Sequence, residues 1–185
     1  ITNTDTSSIT GIISDGASSA ILTKAGSGTL TLSGTNTYTG ATTVNNGILT
    51  ISGSGKLGNG NYTGTLTVAA GKTFNYSSSS AQSFSDWGAG TGTINLNGSD
   101  IVTLSGNQDF TGTLNVSQML IMVGVNANTE IAGLGNAATI DIQNGGTIKI
   151  QQVNHNAFLG YQSSGAPDIY IRTGGELTTD DDNGA

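Results

Sequence analysis

A chain of 185 residues with 29 Gly, one Pro and only 9% charged residues cannot dress its surface with ion pairs; Thr, Ser and Asn must serve instead. Its net charge of −7 includes only five scattered cations (Lys24, Lys56, Lys72, Lys149, Arg172), too widely spaced to displace counterions from phosphates, which excludes nucleic acid and an anionic membrane surface. Cys is absent, excluding thiolate chemistry, disulfides and Cys-held metals, and no apolar run approaches the ~18 residues of a membrane-spanning helix.

Taken in chain order, the predicted elements are short strands in which apolar and polar residues alternate. Leu30 and Leu32 alternate with Thr29, Thr31 and Ser33, and Leu49 and Ile51 with Thr50 and Ser52. Leu66 and Val68 flank Thr67, Ile94 and Leu96 flank Asn95, and Val102 and Leu104 flank Thr103. The pattern continues at Leu114 and Val116, Ile140 and Ile142, Ile148 and Ile150, and Ile169 and Ile171. A period of two gives each strand one apolar and one wettable face. Asn45-Asn46-Gly47, Gly53-Ser54-Gly55, Asn97-Gly98-Ser99, Asn144-Gly145-Gly146 and Gly174-Gly175 are the turns between them. Ser77 to Ser80 reads as a polar bulge, and residues 151–167 as a longer irregular loop leaving the stack. The chain opens at Ile1 without Met and closes on Asn183-Gly184-Ala185, which reads as a fragment of a longer rod.

Such strands suit an antiparallel sandwich or a solenoid, and internal repetition decides between them. Tyr38-Thr39-Gly40 precedes Val44 as Tyr62-Thr63-Gly64 precedes Val68 and Phe110-Thr111-Gly112 precedes Val116. The first two copies stand 24 residues apart and the first and third 72, three times as far. The stretch from Leu32 to Gly40 also aligns without gaps to the stretch from Leu104 to Gly112. A period in the low twenties is one solenoid coil, which buries its apolar face only by stacking on neighbours. The expectation is an all-β, right-handed parallel β-helix. It is a three-sided solenoid of about eight coils, stacked at roughly 4.8 Å and filling residues 1–185 as one segment.

The stretch from Leu22-Thr23-Lys24 through Gly34, Asn36, Tyr38-Thr39-Gly40 and Val44-Asn45-Asn46-Gly47 resembles the passenger-associated transport repeat, also called the autotransporter-associated β-strand repeat. The match is close over residues 20–52. A degenerate copy spans 92–116, with Phe110 replacing the Tyr and Asp109 a Thr. The resemblance implies a type V secretion passenger: a β-helical stalk or adhesin on the bacterial surface, linked in the full protein to an outer-membrane β-barrel. It also implies attachment to a host-surface protein or glycan, or self-association between passengers, with the repeat aiding passenger folding and export.

Chemistry is sparse. One His, no Cys and one Arg leave little from which to build catalysis, so no enzyme activity, cofactor or metal is expected. His155 is the sole candidate base and reads as a polar loop residue. The alternative is a carbohydrate-active β-helix, a polysaccharide lyase or hydrolase with a carboxylate groove. Most acids (Asp5, Asp15, Asp86, Asp100, Asp109, Glu130, Asp141) are isolated in sequence, though stacking brings residues one coil apart to within about 5 Å. Asp180-Asp181-Asp182 reads as a solvated turn in preference to a Ca²⁺ site. Asp168, Tyr170 and Arg172 share the outward face of one strand and are the candidate binding residues for a sugar or protein, against an ordinary cross-strand ion pair. Tyr38, Tyr62 and Phe110 suggest a stacked aromatic ladder or corner packing, and Trp87, between Asp86 and Gly88, a half-exposed ring.

Overall fold

Where apolar and polar residues alternate, the chain runs extended, and each strand lies parallel on the one laid down a coil earlier. The computed structural model describes residues 1–105, 108–123, 139–151 and 168–180. One sheet stacks β1 (Ser7–Ile9), β3 (Thr29–Leu32), β5 (Ile48–Gly53), β7 (Thr73–Ser78), β9 (Thr93–Leu96), β11 (Thr113–Val116), β13 (Thr139–Ile142) and β15 (Asp168–Ile171). The other stacks β2 (Leu22–Lys24), β4 (Thr42–Val44), β6 (Asn61–Val68), β8 (Gln82–Trp87), β10 (Val102–Ser105), β12 (Met119–Val123), β14 (Thr147–Gln151) and β16 (Glu176–Asp180). Odd strands in one sheet and even strands in the other, all parallel, define a β-solenoid. The helical content among the described residues is a single 3₁₀ turn at Gly58–Gly60.

Register follows the apolar pattern. In the first sheet Leu30, Leu49, Phe74, Ile94, Leu114 and Ile140 form one inward file. Leu32, Ile51, Tyr76, Leu96, Val116 and Ile142 form a second, and all of these residues are buried. A one-residue slip would turn both files outward, so burial fixes the pairing. Coil length is not constant, since Leu30 to Leu49 takes 19 residues and Leu114 to Ile140 takes 26.

The structure departs from the sequence reading in three ways. The strands gather into two hydrogen-bonded sheets, and outside them the described residues show one isolated bridge, Thr35 to Lys56, where a third sheet was expected. The 72-residue match does not join equivalent positions either: Leu32 ends β3 in the first sheet, whereas Leu104 lies in β10 in the second. Trp87 is fully buried. A register shift between Tyr62 and Thr65 gives β6 an extra residue relative to β8, and the alternation in β8 slips at Asp86. Phe84 and Trp87 therefore both point inward.

Candidate functional surface

The repeated Tyr/Phe-Thr-Gly unit is structural. Tyr38 and Tyr62 meet edge to face with centroids 5.8 Å apart, and contacts continue from Tyr62 through Phe84 and Trp87 to Phe110 at 5.9–6.2 Å. The Gly is required because a backbone carbonyl of the preceding coil lies against it, that of Ala20 at Gly40, of Gly40 at Gly64 and of Gly92 at Gly112, and at the last two the aromatic folds back over it as well. A β-carbon at Gly64 would stand 2.7 Å from the Tyr62 hydroxyl, and one at Gly112 2.6 Å from the Phe110 ring. Thr42, inward-facing in β4, takes the Tyr38 hydroxyl at 2.7 Å and meets the Tyr62 hydroxyl at 2.7 Å. Because Tyr62 donates to the Gly40 carbonyl at 2.6 Å, the chain of donors runs Tyr38, Thr42, Tyr62, Gly40. Burial pushes the Tyr62 phenol up to about 12 and that of Tyr38 higher still.

At the corners between the two sheets, buried amides tie successive coils together. Asn36 accepts the Ile13 N–H at 3.0 Å and donates to the carbonyls of Gly34 (2.9 Å) and Lys56 (3.0 Å), tying together three levels of the stack. Gln108, its counterpart in the gapless alignment, accepts the Trp87 N–H at 2.6 Å and donates to the Ser105 carbonyl at 2.8 Å. Gln82 pairs with both backbone groups of Leu57. Each side chain acts as a stand-in peptide where the backbone ladder lapses.

The outward face of the first sheet is a polar lattice. Thr73, Thr93, Thr113 and Thr139 form one file beside Asn75, Asn95, Asn115 and Asp141. Asn115 donates to Asn95 at 2.7 Å and Asn95 to Asn75 at 2.8 Å, so the amides are locked in one orientation. From β7 through β11 this face carries no charge, and each file repeats at about 4.8 Å.

The candidate residues Asp168, Tyr170 and Arg172 stand at the end of these files. Arg172 makes a bidentate ion pair with Asp141 of the preceding coil, both nitrogens at 2.8 Å, and its guanidinium lies 5.5 Å from the centroid of the Tyr170 ring. The Arg172 hydrogen bonds hold the Asp141 carboxyl below its ordinary range. Asp168 stacks on Thr139 and is exposed. Ile169 and Ile171 continue the two inward files opposite Ile140 and Ile142, as expected, and Ile171 is 54% exposed because β15 is the outermost described strand of its sheet. His155, Glu130, Asp181, Asp182 and nearly all of the expected loop at 151–167 lie outside the described residues. Among the described residues, no three His, Asp or Glu converge.

The fold is an all-β parallel solenoid with buried corner amides and, from β7 through β11, an uncharged outward face. Residues 22–51, spanning β2 through most of β5, match the family model described as the passenger-associated-transport-repeat. That repeat is one of autotransporter passengers and implies a secreted or surface-exposed protein. No curated protein and no solved structure matches the chain.

Proposed function

We propose that this segment is part of the stalk of an autotransporter passenger, exported by type V secretion and displayed outside the outer membrane. The observation that carries the reading is the transport repeat at residues 22–51, laid out as two stacked levels of a parallel solenoid. The role is non-catalytic: the rod spaces a surface domain from the cell and offers its own faces for attachment. The Thr and Asn lattice supports that role. Its spacing equals that of any second β-solenoid, so two rods can lie side by side with every level in step. Binding to a host protein or glycan would likewise be spread over rows of hydroxyls and amides. The repeat would aid folding during export by stacking each new coil on the last.

The test is to read the coding frame downstream of Ala185. Alternating strands of about ten residues, enough to close an outer-membrane barrel, are expected. A sorting signal or a catalytic domain in their place would overturn the export route and the attachment role together.

A further inference from the structure

The corners leading from the first sheet to the second differ in length. The corner after β9 spans 97–101, the corner after β13 spans 143–146, and between them the corner after β11 is only Ser117-Gln118. One short corner between two longer ones leaves an open notch of about 390 Å³. Its floor is the buried Gln118, which accepts the Gly98 N–H and donates to the Asp100 carbonyl at 2.8 Å, bracing the wall above. That wall carries Ser99, Asp100 and Ile101, and Met119 closes the other side. Ile101 and Met119 are 37% and 40% exposed and stack on each other, since Val102 pairs with Leu120.

One Asp100 oxygen accepts the Ile101 N–H at 2.8 Å. Among the described residues no ion pair forms on this carboxylate. Lys149 faces outward opposite Ile121, one level further on, and does not line the notch. Among the described residues the notch therefore presents a carboxylate without a counter-ion beside an apolar step, on a chain of net charge −7.

We infer that the notch receives a lysine or arginine side chain of a partner protein. The aliphatic stem lies against Ile101 and Met119, and the cationic head reaches Asp100 and the Ser99 hydroxyl. The volume falls within the roughly 300–1,000 Å³ of small-ligand sites, and the acidic rod draws basic partners toward it. No aromatic ring lines the notch to stack on a sugar. The inference does not depend on the export route: a rod with another anchor would carry the same notch.

The experiment is a ¹H–¹⁵N NMR titration with Nα-acetyl-lysine methylamide, its norleucine counterpart and methyl glucoside. The lysine probe should give saturable shifts confined to residues 98–101 and 117–119, with a Kd in the millimolar range. The uncharged norleucine probe should give shifts several-fold smaller. Asp100→Asn retains an acceptor for the Ile101 N–H and should keep the wild-type spectrum elsewhere while abolishing lysine binding. Met119→Ser should weaken it several-fold, and Asp5→Asn should leave it unchanged. Shifts spread over all the acidic residues, lysine binding that survives Asp100→Asn, or saturation of the same amides by the glucoside would each overturn the inference.

Discussion

Two kinds of buried titratable side chain pull the alkaline stability in opposite directions. Lys24, fully buried in β2 and stacked on Val44, offers its ammonium to the carbonyls of Gly26 and Asn46, and among the described residues it forms no ion pair. Burial lowers its pKa from 10.5, so the folded state binds this proton less tightly than the unfolded chain. Its contribution therefore improves as pH climbs from the lowered value toward 10.5. The tyrosines act the other way. With Tyr62 and Tyr76 raised to about 12, and Tyr38 higher, their stabilisation is complete below 10.0 and lost as pH rises through about 12. Lys24→Met should flatten the first slope and change neutral-pH stability by no more than about 1 kcal/mol in either direction, as for buried ions replaced by apolar groups of similar shape. Urea melts across an alkaline pH series would show this. Tyr62→Phe strands the Gly40 carbonyl and the Thr42 proton, whereas Tyr38→Phe removes only the first donor of the chain. The expected losses are about 2 kcal/mol and about 1 kcal/mol, and a larger loss for Tyr38→Phe would contradict the donor order.

Strands that face core on one side and water on the other were readable from sequence; strands that break the code were not. Leu30-Thr31-Leu32 and Thr93-Ile94-Asn95-Leu96 announce β3 and β9 by strict alternation. β4 hides because one of its two inward residues is Thr42, matched to Tyr38 and Tyr62, and β2 because one of its two is Lys24. β12, Met119-Leu120-Ile121-Met122-Val123, is apolar on both faces and shows no period of two. The Tyr-Thr-Gly unit was visible as a repeat, but sequence spacing cannot show that its first and third copies leave different sheets. The notch was invisible as well, because it arises from the relative lengths of three corners. Of the candidate site, the shared outward face was foreseeable; the Asp141 partner of Arg172, 31 residues back, depended on a coil length that no short-range pattern contains. The corner amides explain why sequence copies can sit at different corners: Asn36 and Gln108 satisfy local backbone groups in either place. Asn36→Leu should cost about 3 kcal/mol, since it leaves the Ile13 N–H and the Gly34 carbonyl without their side-chain partner. A drop in thermal midpoint well below that of a surface control such as Asn45→Ala would bear this out.

A stack of coils has no centre, and each level is protected only by the levels on either side. Ile51→Asp would place a carboxylate in an inward file between Leu32 and Tyr76, with no cation to meet it. A loss of about 4 kcal/mol is expected, and hydrogen exchange should show the opening centred on β3, β5 and β7. Thr31→Ala, on the outward face of the neighbouring level, should change stability by less than about 0.5 kcal/mol. Unaltered exchange in Ile51→Asp would contradict the assignment of this file to the core.

The unequal coils that keep common files make the rod's length divisible. Thr73, Thr93 and Thr113 occupy successive steps of one file, as Gln82, Val102 and Leu120 do of another. Excising residues 93–112 should let Thr113 dock on Thr73 and Leu120 on Gln82, giving a shorter rod that melts as a single β-protein, measurable by circular dichroism and small-angle scattering. If it folds, the gene is a ruler graduated in coils: reach from the cell surface could grow or shrink by whole units in one recombination event, with no core to redesign.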